Sequence, residues 1–393
     1  MNHPTSSRLS KAWQRARVCV AAAVMALVLT PKLHAQTLPV GCQPLAPETC
    51  EYQPANHALR VQDFLFRDPA RLLHAVPFRV RYPALVPGPR PVVIWSHGGG
   101  PSEWVSTPLN GPWVSVGQLG SVRRSESFAR AGYVVIHIGR MPATSIGPLE
   151  KRDCIKAGWI DPAQGQVRNL LHCRAAIGQH VYGPLNVAYV VDLLRTGQVV
   201  LPPNFIGTLD TTRIVVGGWS AGTQSVMNIA GAYQQFGELR VDPVPVPGVV
   251  AFFADAPRRP EWSCRLDSGL GDSGFQVDSF QGIDGRPFLF NSGVGDIGPD
   301  RCASAARTNA WQEAARPNKL LSWSNRLEVN HGTVDLSDDG CAGPINTQLC
   351  RWLESLGVAY LDAAVRSRPA AQDWLDSDVM RVMTLNRIEL HRR

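Results

Sequence analysis

The stretch that most constrains this chain is Arg213-Ile214-Val215-Val216-Gly217-Gly218-Trp219-Ser220-Ala221-Gly222-Thr223. A β-branched run leads to a serine, and a helical pattern begins just after it. Gly218-Trp219-Ser220-Ala221-Gly222 fits G-x-S-x-G, the sharp strand-to-helix turn that exposes a serine hydroxyl. Glycines flank the serine because larger side chains would clash in so tight a turn. The pattern is built from common residues, so its weight comes from its setting. A strand must precede it and a helix must follow, and the sequence predicts both.

The first 35 residues read as a targeting segment. Arg8, Lys11, Arg15 and Arg17 form a basic start, Val18 to Leu29 an apolar run, and Leu33-His34-Ala35 a cleavage point. This is the pattern of a secretory signal peptide. The apolar run is shorter than the ~20 residues a membrane span needs, so no stable membrane anchor is expected. The segment holds five Lys or Arg and no acid, so its removal lowers the formal net charge from +7 to +2. The basic balance therefore owes much to the leader and does not point to nucleic acid. Eight cysteines remain: Cys42, Cys50, Cys154, Cys173, Cys264, Cys302, Cys341 and Cys350. An even count behind a leader predicts disulfides and a secreted or periplasmic protein. Sequence does not fix the connectivity, and pairing of neighbours is the expectation: Cys42–Cys50, Cys154–Cys173, Cys264–Cys302 and Cys341–Cys350. No C-x-x-C pair or His/Cys cluster suggests zinc.

Residues 36–60 read as an irregular arm, 61–368 as the folded domain and 369–393 as a peripheral tail. Val61 to Phe66 and Val76 to Tyr82 alternate apolar and polar, as antiparallel strands do. Pro91 to Ser96, Tyr133 to Ile138, Arg213 to Val216, Val246 to Phe253 and Pro287 to Phe290 are apolar runs, as in strands buried on both faces. Leu320 to Val329 reads as the last strand, ending at Asn330-His331-Gly332. Helical patterns fall between the strands. Alternation of this kind predicts an α/β fold: a mostly parallel central sheet with helices on both faces. Two long stretches, 139–180 and 258–285, read as loop insertions beside the site.

Ligands bind beyond the carboxyl ends of the strands in such sheets. Ser220, His97, Asp296 and His331 each fall just after a strand. A serine nucleophile needs a base, an acid that orients the base, and N–H donors for the oxyanion. In the chain order Ser, acid, His, only His331 and His391 follow Ser220, and His391 lies almost at the end of the chain. His331 is the predicted base. Two acids remain open: Asp296, favoured in its Gly-x-x-Asp turn, and Asp255, after the preceding strand. His97-Gly98-Gly99-Gly100 offers an oxyanion loop with Gly99 as donor, and Ala221 is the second donor. His97 is expected to position that loop.

By these residues the chain resembles the α/β-hydrolase superfamily across roughly residues 60–366. It is most similar to the secreted platelet-activating-factor acetylhydrolase-like and dienelactone-hydrolase-like branch. The likeness rests on Arg67-Asp68-Pro69-Ala70-Arg71 with Val76 to Pro83, on Val93 to Gly100, on Leu209 to Gly222, and on His331 with Asp335. It implies the α/β-hydrolase fold, with insertions over the active site, and ester hydrolysis by a Ser-His-Asp triad without a cofactor. A small-molecule, lipid or polyester ester is the implied partner, and a monomer the expected state. Lipid acetylhydrolases of the branch place the acid where Asp255 stands, and many bacterial relatives where Asp296 stands. A peptidase on the same fold and a non-catalytic binding protein on a hydrolase scaffold are the alternatives.

Overall fold

The computed structural model describes residues 37–98, 104–105, 114–115, 121–139, 143, 145–160, 166–260, 273–276, 278–297, 304–315 and 317–393. The chain divides into two units, Met1–Thr37 and Leu38–Arg393, and the second is the subject here. The predicted leader, 1–35, lies outside the described residues, as do Gly99, Cys264 and Cys302.

Nine strands form one sheet: β1 Leu59–Asp68, β2 His74–Pro83, β3 Gly88–Ser96, β4 Val134–Ile138, β5 Gly207–Trp219, β6 Val249–Asp255, β7 Phe288–Gly293, β8 Lys319–Ser324 and β9 Ile388–Arg392. Their spatial order is β1-β2-β4-β3-β5-β6-β7-β8-β9. The six strands from β4 to β8 run parallel. Antiparallel β1 and β2 flank one side and antiparallel β9 the other. The protein is thus an α/β protein with a mixed, mostly parallel sheet.

The apolar runs do what a two-sided sheet requires, because successive side chains point to opposite faces. Val93 and Trp95 of β3 pack with Phe128, Phe253 and Trp352 on one face. Val92 and Ile94 pack with Val190, Val216 and Phe252 on the other. The register brings the strand ends level. Ser96 pairs with Gly218, Trp219 with Asp255, and Asp255 with Asn291. One edge of the sheet therefore gathers the ends of the strands that lead into the candidate site residues.

Three parts differ from the sequence expectation. The last parallel strand stops at Ser324, and His331 opens a short helix, His331–Asp335. Asn330 supplies the reason: its side chain accepts from the N–H groups of Gly332 and Thr333 and caps a new helix. The 139–180 insertion is largely helical, with Pro148–Lys156, Gln166–Ala176 and a π turn, Ile177–Val181. Residues 369–393 are not a peripheral tail. They form helices Pro369–Asp376 and Val379–Met383 and then β9, with Trp374, Met380 and Ile388 buried in the core. That segment's apolar residues recur at helical intervals through Met383, and pairing with β8 gives the final strand a partner.

Disulfides join Cys42 to Cys50, Cys154 to Cys173 and Cys341 to Cys350. They point to an oxidising compartment. Among the described residues no helix is long and apolar enough to cross a membrane.

Candidate active site

The turn after β5 is built around close backbone approach. Ser220 has a φ of 50°, in the left-handed region that non-glycine residues seldom occupy. A Cβ on Gly222 would stand 2.0 Å from the Ser96 carbonyl oxygen, and one on Gly218 2.7 Å from the same atom. Only glycine fits at both positions, which is why the turn can press against the end of β3. Thr223 Oγ1 donates to the Ser220 carbonyl at 2.6 Å, and the Arg258 N–H donates to the same Thr223 oxygen. Such strain persists where the surroundings over-determine it. The helix Thr223–Ala230 follows. Ala221 opens this helical turn, where N–H groups lack intrahelical partners.

The glycine loop begins against the same turn. A Cβ on Gly98 would lie 2.8 Å from Ser220 Cβ and 2.3 Å from the Trp219 ring. Gly98 therefore lies directly beside the serine. Gly99, the proposed donor, lies outside the described residues. His97 is buried, with Nδ1 against the Gly98 carbonyl and its ring 5.8 Å from that of His137. Burial pushes the His137 imidazole well below its usual range.

His331 and Asp296 meet. His331 Nδ1 lies 2.5 Å from Asp296 Oδ1. The His331 carbonyl accepts from Trp219 Nε1 at 3.2 Å, and the two rings face each other at 4.9 Å. The residue next to Ser220 thus holds the His331 loop in place. Asp296 is fully buried, and Ser292 Oγ donates to its Oδ2 at 2.7 Å. Arg307 Nε donates to the Asp296 carbonyl at 3.0 Å and stands 3.4 Å from Oδ2. Burial alone would raise this carboxyl. The Arg307 charge, His331 and Ser292 outweigh it and hold Asp296 below the usual carboxylate range.

Asp255 sits elsewhere. It is fully buried and accepts from Arg124 Nε at 3.0 Å, Arg124 Nη2 at 3.3 Å and Asn291 Nδ2 at 2.9 Å. Burial pushes its carboxyl up to about 6. Asp335, one helical turn after His331, accepts from the N–H and hydroxyl of Ser121. Burial raises it well above the carboxylate range. The structure therefore brings Asp296 to His331 and gives Asp255 to Arg124.

Several partners carried no local sequence signal. Arg307 lies in an unremarkable turn, Ser304–Thr308, and Arg124 in a helix with no motif. Ser292 could have been found, because it precedes Asp296 by one turn of chain. Trp219 was inside the motif, but its role shows only once β8 and its loop are placed. No protein-family model matches the chain, and no curated protein matches it.

Proposed function

We propose that the protein is a serine hydrolase of the α/β-hydrolase type that cleaves carboxylic esters. The observation that carries this reading is the His331 Nδ1–Asp296 Oδ1 bond, held on a loop whose carbonyl is bound by the neighbour of Ser220. With Nδ1 engaged by the carboxylate, Nε2 is the ring nitrogen left to act as base. Ser220 Oγ attacks the ester carbonyl carbon while its proton passes to His331 Nε2. The oxyanion takes hydrogen bonds from the Ala221 and Gly99 N–H groups. The intermediate collapses, the C–O bond to the alcohol breaks, and His331 returns the proton to the leaving oxygen. Water then attacks the acyl-enzyme by the same route and frees the acid. Asp296 stays ionised and orients the imidazole as it becomes charged. The strained φ of Ser220 and the two glycine contacts support the turn as a nucleophile elbow.

Labelling by a fluorophosphonate tests the nucleophile. The wild-type protein should be labelled and Ser220→Ala should not; equal labelling of both would falsify the assignment. A panel of p-nitrophenyl esters graded by acyl length, with a phospholipid and a polyester, then names the ester class.

A further inference from the structure

The helical insertion has an outer side that the active-site reading does not use. We propose that this side, formed by the disulfide-linked helices Pro148–Lys156 and Gln166–Ala176, docks on an anionic phospholipid surface. The proposal does not rest on Ser220 being a nucleophile.

The inner side of the pair is settled by its contacts. Cys154 and Cys173 are buried and bonded, and they pack with Trp159, Ile177 and Phe236. The opposite sides face solvent. Val167, Leu170 and Leu171 recur at one-turn spacing and are 72%, 47% and 59% exposed. Leu149 and Ile155 on the partner helix are 63% and 59% exposed and lie on its outward half, away from buried Cys154. Single exposed leucines need no explanation. Five on the outward sides of two cross-linked helices put more apolar surface into solvent than chance exposure does, and such surface marks interaction sites.

The charges choose the partner. Lys151, Arg152, Lys156 and Arg168 are exposed on the same two helices. Their acids are engaged: Glu150 accepts from Tyr182 Oη and the Gly147 N–H, and Asp153 pairs with Arg152. An apolar face with a cationic rim fits acyl chains beneath negative headgroups. An acidic protein groove would offer the rim a match but leave the apolar face less well covered. Docking need not involve a span, and among the described residues no helix offers one. The insertion also reaches the candidate site. It continues into the π turn, where Gln179 Nε2 donates to Gln224 Oε1 at 3.1 Å. Gln224 lies on the helix that follows Ser220, so the insertion is hydrogen-bonded to that helix.

Co-sedimentation of the protein with vesicles tests this. Vesicles of phosphatidylglycerol and phosphatidylcholine in equal parts are compared with phosphatidylcholine alone, at low and high salt. The wild-type protein should bind the anionic vesicles, release in high salt, and bind the neutral vesicles at least tenfold more weakly. Leu170→Ser with Leu171→Ser should weaken anionic binding by about tenfold. Lys156→Glu with Arg168→Glu should do the same, and because both side chains are exposed this pair leaves the core intact. Unchanged melting temperatures confirm that each variant is folded. No binding at low salt, equal binding to neutral vesicles, or unchanged binding in the Glu pair overturns the proposal. A dimer in gel filtration that dissociates in the Ser pair would assign the face to a second copy, and so would overturn it too.

Discussion

Replacing Arg307 by Gln should lower kcat, because it removes the charge that keeps Asp296 ionised. Arg307 lies 3.4 Å from Asp296 Oδ2 and is 3% exposed. At an effective dielectric of about 20 the attraction across that gap is roughly 5 kcal/mol. This attraction is what lets a fully buried carboxyl remain charged. Without Arg307, burial raises the Asp296 carboxyl, and a protonated Asp296 offers His331 no negative charge to stabilise its positive form. In Arg307→Gln, kcat should fall by about 10²-fold or more, toward the ~10⁴-fold that losing a triad aspartate costs.

The assay is p-nitrophenyl acetate hydrolysis between pH 5 and 9, run on wild type, Arg307→Gln and Arg307→Lys. The Lys variant keeps the charge and should keep most of the activity, whereas the Gln variant should lose about 10²-fold or more in kcat across that range. Arg307 also donates to the Ala256, Pro257 and Asp296 carbonyls, so both variants should melt lower. That loss does not confuse the reading, because both variants share it and only Gln removes the charge. If the Lys variant loses as much kcat as the Gln variant at equal folded protein, Arg307 does not act through the charge of Asp296.

The remaining expectations follow from the same contacts. Asp296→Asn should cost about 10⁴-fold in kcat, and Asp255→Asn far less at equal folded protein; the reverse order would move the acid to Asp255. Trp219→Phe keeps a ring against His331 but removes the bond to its carbonyl, so kcat should fall about five-fold, as for the loss of ~1 kcal/mol; wild-type turnover would show that the bond does not position the base. Gly222→Ala drives a Cβ into the Ser96 carbonyl and should destabilise by about 3 kcal/mol, seen in urea unfolding. Asp335 is raised well above the usual carboxylate range by burial. A raised folded value gives stability that is present below about pH 4 and is lost as pH rises through that value. The melting temperature of Asp335→Asn relative to wild type should therefore climb from pH 5 to 8, and a constant difference would refute this.

Most of the sheet was legible because burial on both faces leaves an unmistakable apolar run. Val92 to Trp95 and Ile214 to Val216 could hardly form anything else. The elbow was legible because close approach demands glycine at Gly218 and Gly222. The exceptions have separate causes. β9 is short and half-polar, and it becomes a strand only by pairing with β8. The insertion helices carry apolar residues outward as well as inward, so their hydrophobic pattern did not define a single buried face. The loop ahead of His331 reads as strand until Asn330 caps the helix.

The choice of acid follows the same logic at the level of single side chains. Asp255 and Asp296 both lie at the carboxyl end of the sheet, both fully buried, and a chain-order argument admits either. What separates them is a basic residue supplied from far away in sequence. Arg124 comes from the helix Val122–Arg130 and fixes Asp255 with two bonds, while Asn291 takes a third position on its carboxylate. That leaves Asp255 occupied with holding the core, with its carboxyl pushed up to about 6 by burial. Arg307 comes from the turn after β7 and binds Asp296 mainly through the backbone carbonyl, leaving Oδ1 open to His331. Asp296 is thus charged and has an oxygen to offer, the two properties that orienting an imidazole requires. Two acids at the same sheet edge are thus held in opposite states by their arginines, Asp255 locked to Arg124 and Asp296 free to reach His331.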